Sequence, residues 1–120
     1  MKIRLNKVDI LFSRLIRLRA KGLCEYCGGW VGYPKLAVSH YFGRRNGNTR
    51  FDEENCQALC FFCHMTLTEN PHEYYEWMRK RLGEDAYNML AVRASIVCKP
   101  DMEAVLLYLK GKLKEVGDEL

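Results

Sequence analysis

The sequence predicts a single α+β domain, mostly helical, in which helices flank a small irregular core. Three observations carry that expectation. The chain has 120 residues, which suits one domain, with 48% hydrophobic and 28% charged residues, as in globular proteins generally. Apolar residues recur at helical spacing before position 22 and again after position 70. The stretch between is cut by glycines, and two Cys-x-x-Cys pairs bracket it. The domain is therefore expected to span 1–120, with its core at about 24–69, an N-terminal helix at about 9–21 and C-terminal helices at about 71–116.

The first helix has Asp9 in place to cap it, runs to about Ala20 and stops at Gly22. On a helical wheel Val8, Leu11, Phe12, Leu15, Ile16 and Leu18 share one side, and Lys7, Arg14, Arg17 and Lys21 the other. The apolar side seeks a core, and the basic stripe suits a row of phosphates. Arg19 falls within the apolar sector, where spacing alone names no partner for its charge.

"LCEYCGGW" follows and reads as a knuckle, a tight turn that aims Cys24 and Cys27 at one point. "LAVSHYF" reads as a short strand. "GRRNGNTR" reads as a polar loop, carrying Arg44, Arg45 and Arg50, that no core would use. "FDEENCQAL" leads into Cys60, and a short helix is expected from about Phe61 to Thr68. Asn70-Pro71 is a strong helix start, with Glu73 where a capping box wants it, and Gly83 is a natural stop. A further helix is expected from about Glu84 to Ser95. Lys99-Pro100-Asp101 breaks the chain, and a last amphipathic helix runs to about Val116, weakened by Gly111. This last helix is expected to pack on the domain or to form a dimer surface, which makes a homodimer one possible assembly.

The net charge of +4 hides an asymmetry. Residues 1–50 carry 11 Lys and Arg against Asp9 and Glu25, whereas residues 51–120 carry 8 against 13 acidic residues. A basic half suits a polyanionic partner, with a merely solvated basic face as the alternative. No apolar run approaches the ~20 residues needed to cross a bilayer. The N-terminus lacks the pattern of a signal peptide. The expectation is a cytoplasmic protein with no membrane partner.

In a reducing compartment the cysteine pattern favours metal over disulfides. Cys24, Cys27, Cys60 and Cys63 form a four-thiolate set of the kind that holds structural Zn²⁺ tetrahedrally. The 32 residues between the pairs are more than a compact zinc ribbon uses. The pairs are therefore expected to clip the base of an inserted element holding His40, the arginine loop and Asn55. Cys56 and Cys98 read as ordinary buried thiols.

With four cysteines on one ion, His64 is left over. The ordered set His40…Asn55…His64, with its last two members around a zinc knuckle, resembles the HNH endonucleases of the His-Me finger (ββα-metal) group, over roughly residues 24–64. A looser similarity extends over most of the chain to the phage NinG/Rap-like recombination nucleases. It is carried by "ILFSRLIRLRA", "SHYFGRR…TRFDEENCQALCFFCH" and "EYYEWMRKRLGEDAYNML".

The resemblance implies a zinc-braced ββα-metal core and a metal-dependent DNA endonuclease. Such an enzyme hydrolyses phosphodiesters to 5′-phosphate and 3′-hydroxyl ends, in recombination or the processing of branched (junction) DNA. By the family pattern His40 is the general base and Asn55 accepts from its other ring nitrogen. His64 then binds a catalytic Mg²⁺ or Mn²⁺. Arg44, Arg45 and Arg50, with the stripe of Arg14, Arg17 and Lys21, are the expected phosphate contacts.

Position 39 departs from the pattern, because many members carry Asp or His there as a second metal ligand. Three readings stay open: Ser39 ligates weakly; one of Asp52, Glu53 or Glu54 substitutes; or the domain only binds. For Asp52 alone, capping a turn is the simpler role. Tyr41, Phe42 and the aromatics of "EYYEW" are expected to pack in the core, with base stacking as the alternative. The functional alternatives are a non-catalytic zinc-stabilised DNA-binding module and a zinc-held interaction domain.

Overall fold

The computed structural model describes residues 6–117. It is an α+β structure, predominantly helical, with one two-stranded sheet. Helix α1 (Lys7–Ala20) opens on Asn6, whose side-chain oxygen accepts from the Asp9 N–H at 3.0 Å. The Asp9 carboxylate accepts the Asn6 N–H at 3.1 Å in return. Asp9 is thus the third residue of the helix, closing a capping box, and not the cap, which turns the rest of its carboxylate inward. The helix ends at Lys21, in the left-handed region at φ 55°, and Gly22 follows at φ 84°. A Cβ on Gly22 would lie 2.7 Å from Nε1 of the exposed Trp30 ring and would displace it, but it is the positive φ that makes the turn into the first knuckle favour glycine.

Strands β1 (Ala37–His40) and β2 (Cys56–Leu59) pair antiparallel, from Ala37 opposite Leu59 to His40 opposite Cys56. All four residues of β2 are buried, and their alternation divides the core. Cys56 and Ala58 face a cluster with Phe12 and Ile16 of α1 and Leu109 and Leu113 of α5 (Met102–Glu115). Leu59 faces a second cluster. It is built from Leu67 of α2 (Phe61–Glu69), Tyr74 and Met78 of α3 (Pro71–Leu82), and Tyr87 and Leu90 of α4 (Glu84–Ser95). The hairpin is therefore covered by helices on both faces, and α5 is a packing element on α1.

Two local expectations are corrected. The Asn70 amide donates to the Thr66 carbonyl at 2.6 Å, and the Glu73 carboxylate accepts from the Tyr26 hydroxyl at 2.7 Å. Both groups of the expected capping box at α3 are thus committed elsewhere, although Pro71 does open the helix. The loop at 43–50 is not free of the core. Thr49 is fully buried, and the Asn46 and Asn48 amides donate to the Ala94 and Arg93 carbonyls at the end of α4. The Arg93 guanidinium reaches Asp52 at 2.7 Å and Glu54 at 2.8 Å. Arg19 finds its partners in Glu25 (2.7 Å) and in the Glu53 and Cys56 carbonyls (2.9 and 2.7 Å). No helix among the described residues is long and apolar enough to cross a membrane.

Candidate functional site

The two Cys-x-x-Cys turns meet. The Sγ atoms of Cys24, Cys27, Cys60 and Cys63 all lie within 4.8 Å of one another, a set that can hold a metal ion such as zinc. Local structure aims them. The Gly28 N–H donates to the Cys24 carbonyl and the Cys24 N–H to the Gly29 carbonyl, both at 2.9 Å, with Gly28 at φ 78° closing the first turn. Cys60 occupies the N-cap of α2, which puts Cys63 in that helix's first turn. Burial raises the Cys24 thiol, but backbone hydrogen bonds from Cys27, Cys60 and Tyr26 outweigh it and bring the pKa down to about 7. Burial and the neighbouring thiols of Cys60, Cys27 and Cys24 push Cys63 up. The two shifts run in opposite directions because the thiols share one small space and titrate together. Cys56 is a buried thiol, whereas Cys98 is exposed, contrary to expectation, because its segment lies on the surface beside Asn48.

Immediately past the cluster, His64 lines a groove of about 590 Å³ together with His40, Ser39, Arg44, Thr68 and Tyr74. β1 carries His40 and α2 carries His64, so the hairpin-to-helix junction brings the two histidines to one groove. The His40 Nε2 lies 3.0 Å from the Arg50 carbonyl. A carbonyl only accepts, so Nε2 carries the proton and Nδ1 keeps its lone pair. Burial lowers the His40 pKa to about 4, assisted by the charge of Arg44 and opposed by the Arg50 carbonyl. The ring is neutral at pH 7.

The hydrogen bonds of the Asn55 side chain go elsewhere than to that ring. Its side-chain oxygen accepts the Phe42 N–H at 2.8 Å, and its amide donates to the Phe42 and Thr49 carbonyls at 2.9 and 3.0 Å. Asn55 thus closes the 42–55 loop, and the loop presents the Arg50 carbonyl to His40. The partner expected of Asn55 is supplied by backbone.

The loop arginines part company. Arg50 donates to Asp9 through Nε at 3.0 Å and Nη2 at 2.6 Å, and its side chain is 18% exposed. It is an internal strut between loop and α1, where sequence suggested a phosphate contact. Arg44 lies 3.3 Å from Asp9 and also lines the groove. Arg17 of the stripe stacks over the Tyr33 ring at 4.4 Å. Ser39 is buried, its hydroxyl 2.8 Å from the Tyr74 hydroxyl, which also accepts from Gln57 at 2.9 Å. None of the proposed substitutes reaches the groove: Asp52 and Glu54 hold Arg93, Asp52 also caps the turn at Glu54, and Glu53 accepts from Tyr108 at 2.5 Å. Tyr41 and the helical aromatics of α3 pack in the second cluster, as expected.

No protein-family model matches the chain, and neither a curated protein nor a solved structure matches it.

Sequence reasoning missed Asp9 as the anchor of the loop, the Arg50 carbonyl as the partner of His40, and Glu25. The Glu25 carboxylate accepts from Arg19 and from the Ala58 N–H at 2.8 Å, while its own N–H donates to the Ala58 carbonyl at 2.9 Å. A signal for Asp9 and Glu25 was present: they are the two carboxylates in a half-chain with 11 cations.

Proposed function

We propose that the chain is a metal-dependent DNA endonuclease of HNH type, with structural zinc on Cys24, Cys27, Cys60 and Cys63. The observation that carries the reading is the shared groove. A neutral histidine with a fixed tautomer and a second histidine line one cleft, beside a four-thiol cluster that fits Zn²⁺ in donor chemistry and spacing. The processing of branched or recombining DNA is the setting that the sequence resemblance favours.

In this reading His40 Nδ1 accepts the proton of the attacking water. Its pKa of about 4 leaves it unprotonated at neutral pH and makes it a weak base. The Arg50 carbonyl holds the ring's orientation, and Asn55 and Asp9 hold the loop that bears that carbonyl. Arg44 stands at the groove to meet a phosphate. His64 would hold a catalytic Mg²⁺ or Mn²⁺, which would supply Lewis-acid stabilisation of the leaving oxygen. The groove has no carboxylate among its described lining, so a hard cation there needs phosphate oxygens and water to complete its shell.

The same observation favours a second reading, a zinc-stabilised module that binds DNA without cutting it. The two separate in one experiment: zinc-loaded protein with Mg²⁺ or Mn²⁺ on supercoiled, linear and four-way-junction DNA, beside His40→Ala. The endonuclease reading expects cleavage by the parent and at least a ~100-fold loss in the variant. Equal cleavage by both removes His40 as the base, and DNA binding without cleavage by the parent selects the binding module.

A further inference from the structure

We propose that the cleft between the 43–50 loop and the 94–100 segment binds one nucleotide of an unpaired DNA strand. The inference rests on the reading that DNA is the partner and names the form of DNA that this surface would take. The cleft holds about 610 Å³, within the range of small-ligand sites. Arg44, Arg45 and Lys99 line it, with Arg50 held behind on Asp9, and no carboxylate is among the described lining residues. The facing wall is apolar: Ile96 is 51% exposed and Val97 fully exposed, with Pro100 beside them.

Charge is sorted sharply at this point. The seam where Gly47 meets Cys98 and Pro100 also borders a second cleft, and that one is lined by Asp52, Glu53 and Glu54. Arg93 offsets part of the charge on Asp52 and Glu54, and the balance still draws an anionic strand to the basic side of the seam.

The cleft is also built in advance. A Cβ on Gly47 would sit 2.5 Å from the Cys98 carbonyl and 2.9 Å from Pro100 Cδ, so loop and segment are in direct backbone contact. The Asn46 and Asn48 amides bind the Ala94 and Arg93 carbonyls, and the Cys98 thiol donates to Asn48 Oδ1 at 3.1 Å. Walls fixed by these bonds lose little freedom when a ligand arrives.

Cations facing exposed aliphatic side chains match a nucleotide whose base has left the stack. A duplex offers its phosphates to such a site but keeps its base faces covered, so the apolar wall gains nothing from it. Arg44 lines both this cleft and the groove of His40 and His64, so a strand held here passes directly beside the candidate catalytic groove.

The test is the affinity, by fluorescence anisotropy in Ca²⁺, of zinc-loaded protein for a fork with one unpaired arm and for a blunt duplex of the same sequence. Val97→Asp and Lys99→Glu are compared with Leu107→Asp, another well-exposed apolar site on α5 (72%) that is outside the cleft. The expected result is a preference of about tenfold for the fork, as one base leaves water against the aliphatic wall. Val97→Asp and Lys99→Glu should lose that preference, and Leu107→Asp should keep it. Equal affinity of the parent for fork and duplex overturns the proposal, as does a preference unchanged in both cleft variants. Cleavage of the same DNAs in Mn²⁺ keeps the two ideas apart. Fork-selective binding without cleavage sinks the nuclease reading and leaves the cleft standing, and cleavage without fork preference does the reverse.

Discussion

Asp9→Asn is a near-isosteric substitution that removes a buried charge. Asp9 is 7% exposed, and its carboxylate accepts from Arg50 at 3.0 and 2.6 Å, from the Asn6 N–H at 3.1 Å, and lies 3.3 Å from Arg44. An asparagine keeps the shape and an oxygen for the Asn6 N–H, so the cap of α1 survives. What it removes is the anion facing two guanidinium groups, one of them only 18% exposed. Breaking a buried ion pair by deleting one partner costs about 3–5 kcal/mol. Arg50 keeps its contact with the Phe51 ring at 5.2 Å, which places the expected loss near the lower end, at about 3 kcal/mol.

Urea denaturation of zinc-loaded protein measures it, as a lower midpoint with unchanged slope. The double variant Asp9→Asn/Arg50→Met should recover at least about 1 kcal/mol, because the stranded charge leaves with its partner. A loss below about 1 kcal/mol, or additive effects in the double variant, would refute the strut between α1 and the loop.

Three further outcomes follow from the geometry. Cys24→Ser should bind less than one zinc per chain by elemental analysis and lose cooperative unfolding, whereas exposed Cys98→Ser should keep full zinc content. His40 carries a pKa of about 4 in the fold against roughly 6.5 unfolded, so the unfolded chain binds the extra proton between those values. Its contribution is complete above about pH 6.5 and lost as pH falls toward 4, by up to about 3 kcal/mol. His40→Gln should therefore show a shallower loss of stability between pH 7 and 4.5 than the parent, a comparison that cancels acid release of metal common to both. Gly47→Ala should cost about 1–3 kcal/mol, since its Cβ would meet a backbone carbonyl at 2.5 Å, and melting curves would show it.

The helices were legible because each declares itself locally: α4 and α5 match their expected bounds to within a residue, and Pro71 opens α3. The cysteine set was legible for the same reason, since each knuckle is a four-residue pattern. What sequence could not supply were partners chosen by the tertiary fold. The Glu73 carboxylate had two possible uses, and Tyr26, 47 residues away, took it. Arg50 looked like a surface cation, but Asp9 lies 41 positions earlier and waits inside. The acceptor for His40 is a main-chain carbonyl, which no side-chain pattern reports.

The long spacing between the cysteine pairs then acquires a mechanical meaning. A metal held only for stability needs no particular neighbour. Here Glu25, between the first two cysteines, is hydrogen-bonded through both backbone and side chain to Ala58 of β2, and through its carboxylate to Arg19 of α1. Arg19 in turn holds the Glu53 and Cys56 carbonyls, at the start of the same strand. The second cysteine pair opens α2, and His64 is the next residue. The cluster is thus tied to the strand opposite His40 and to the helix bearing His64 by separate links. A displaced cysteine turn would shift the two histidines independently. An ion held by both turns would remove that freedom, and the 32 residues between the pairs carry the hairpin and its loop from one turn to the other.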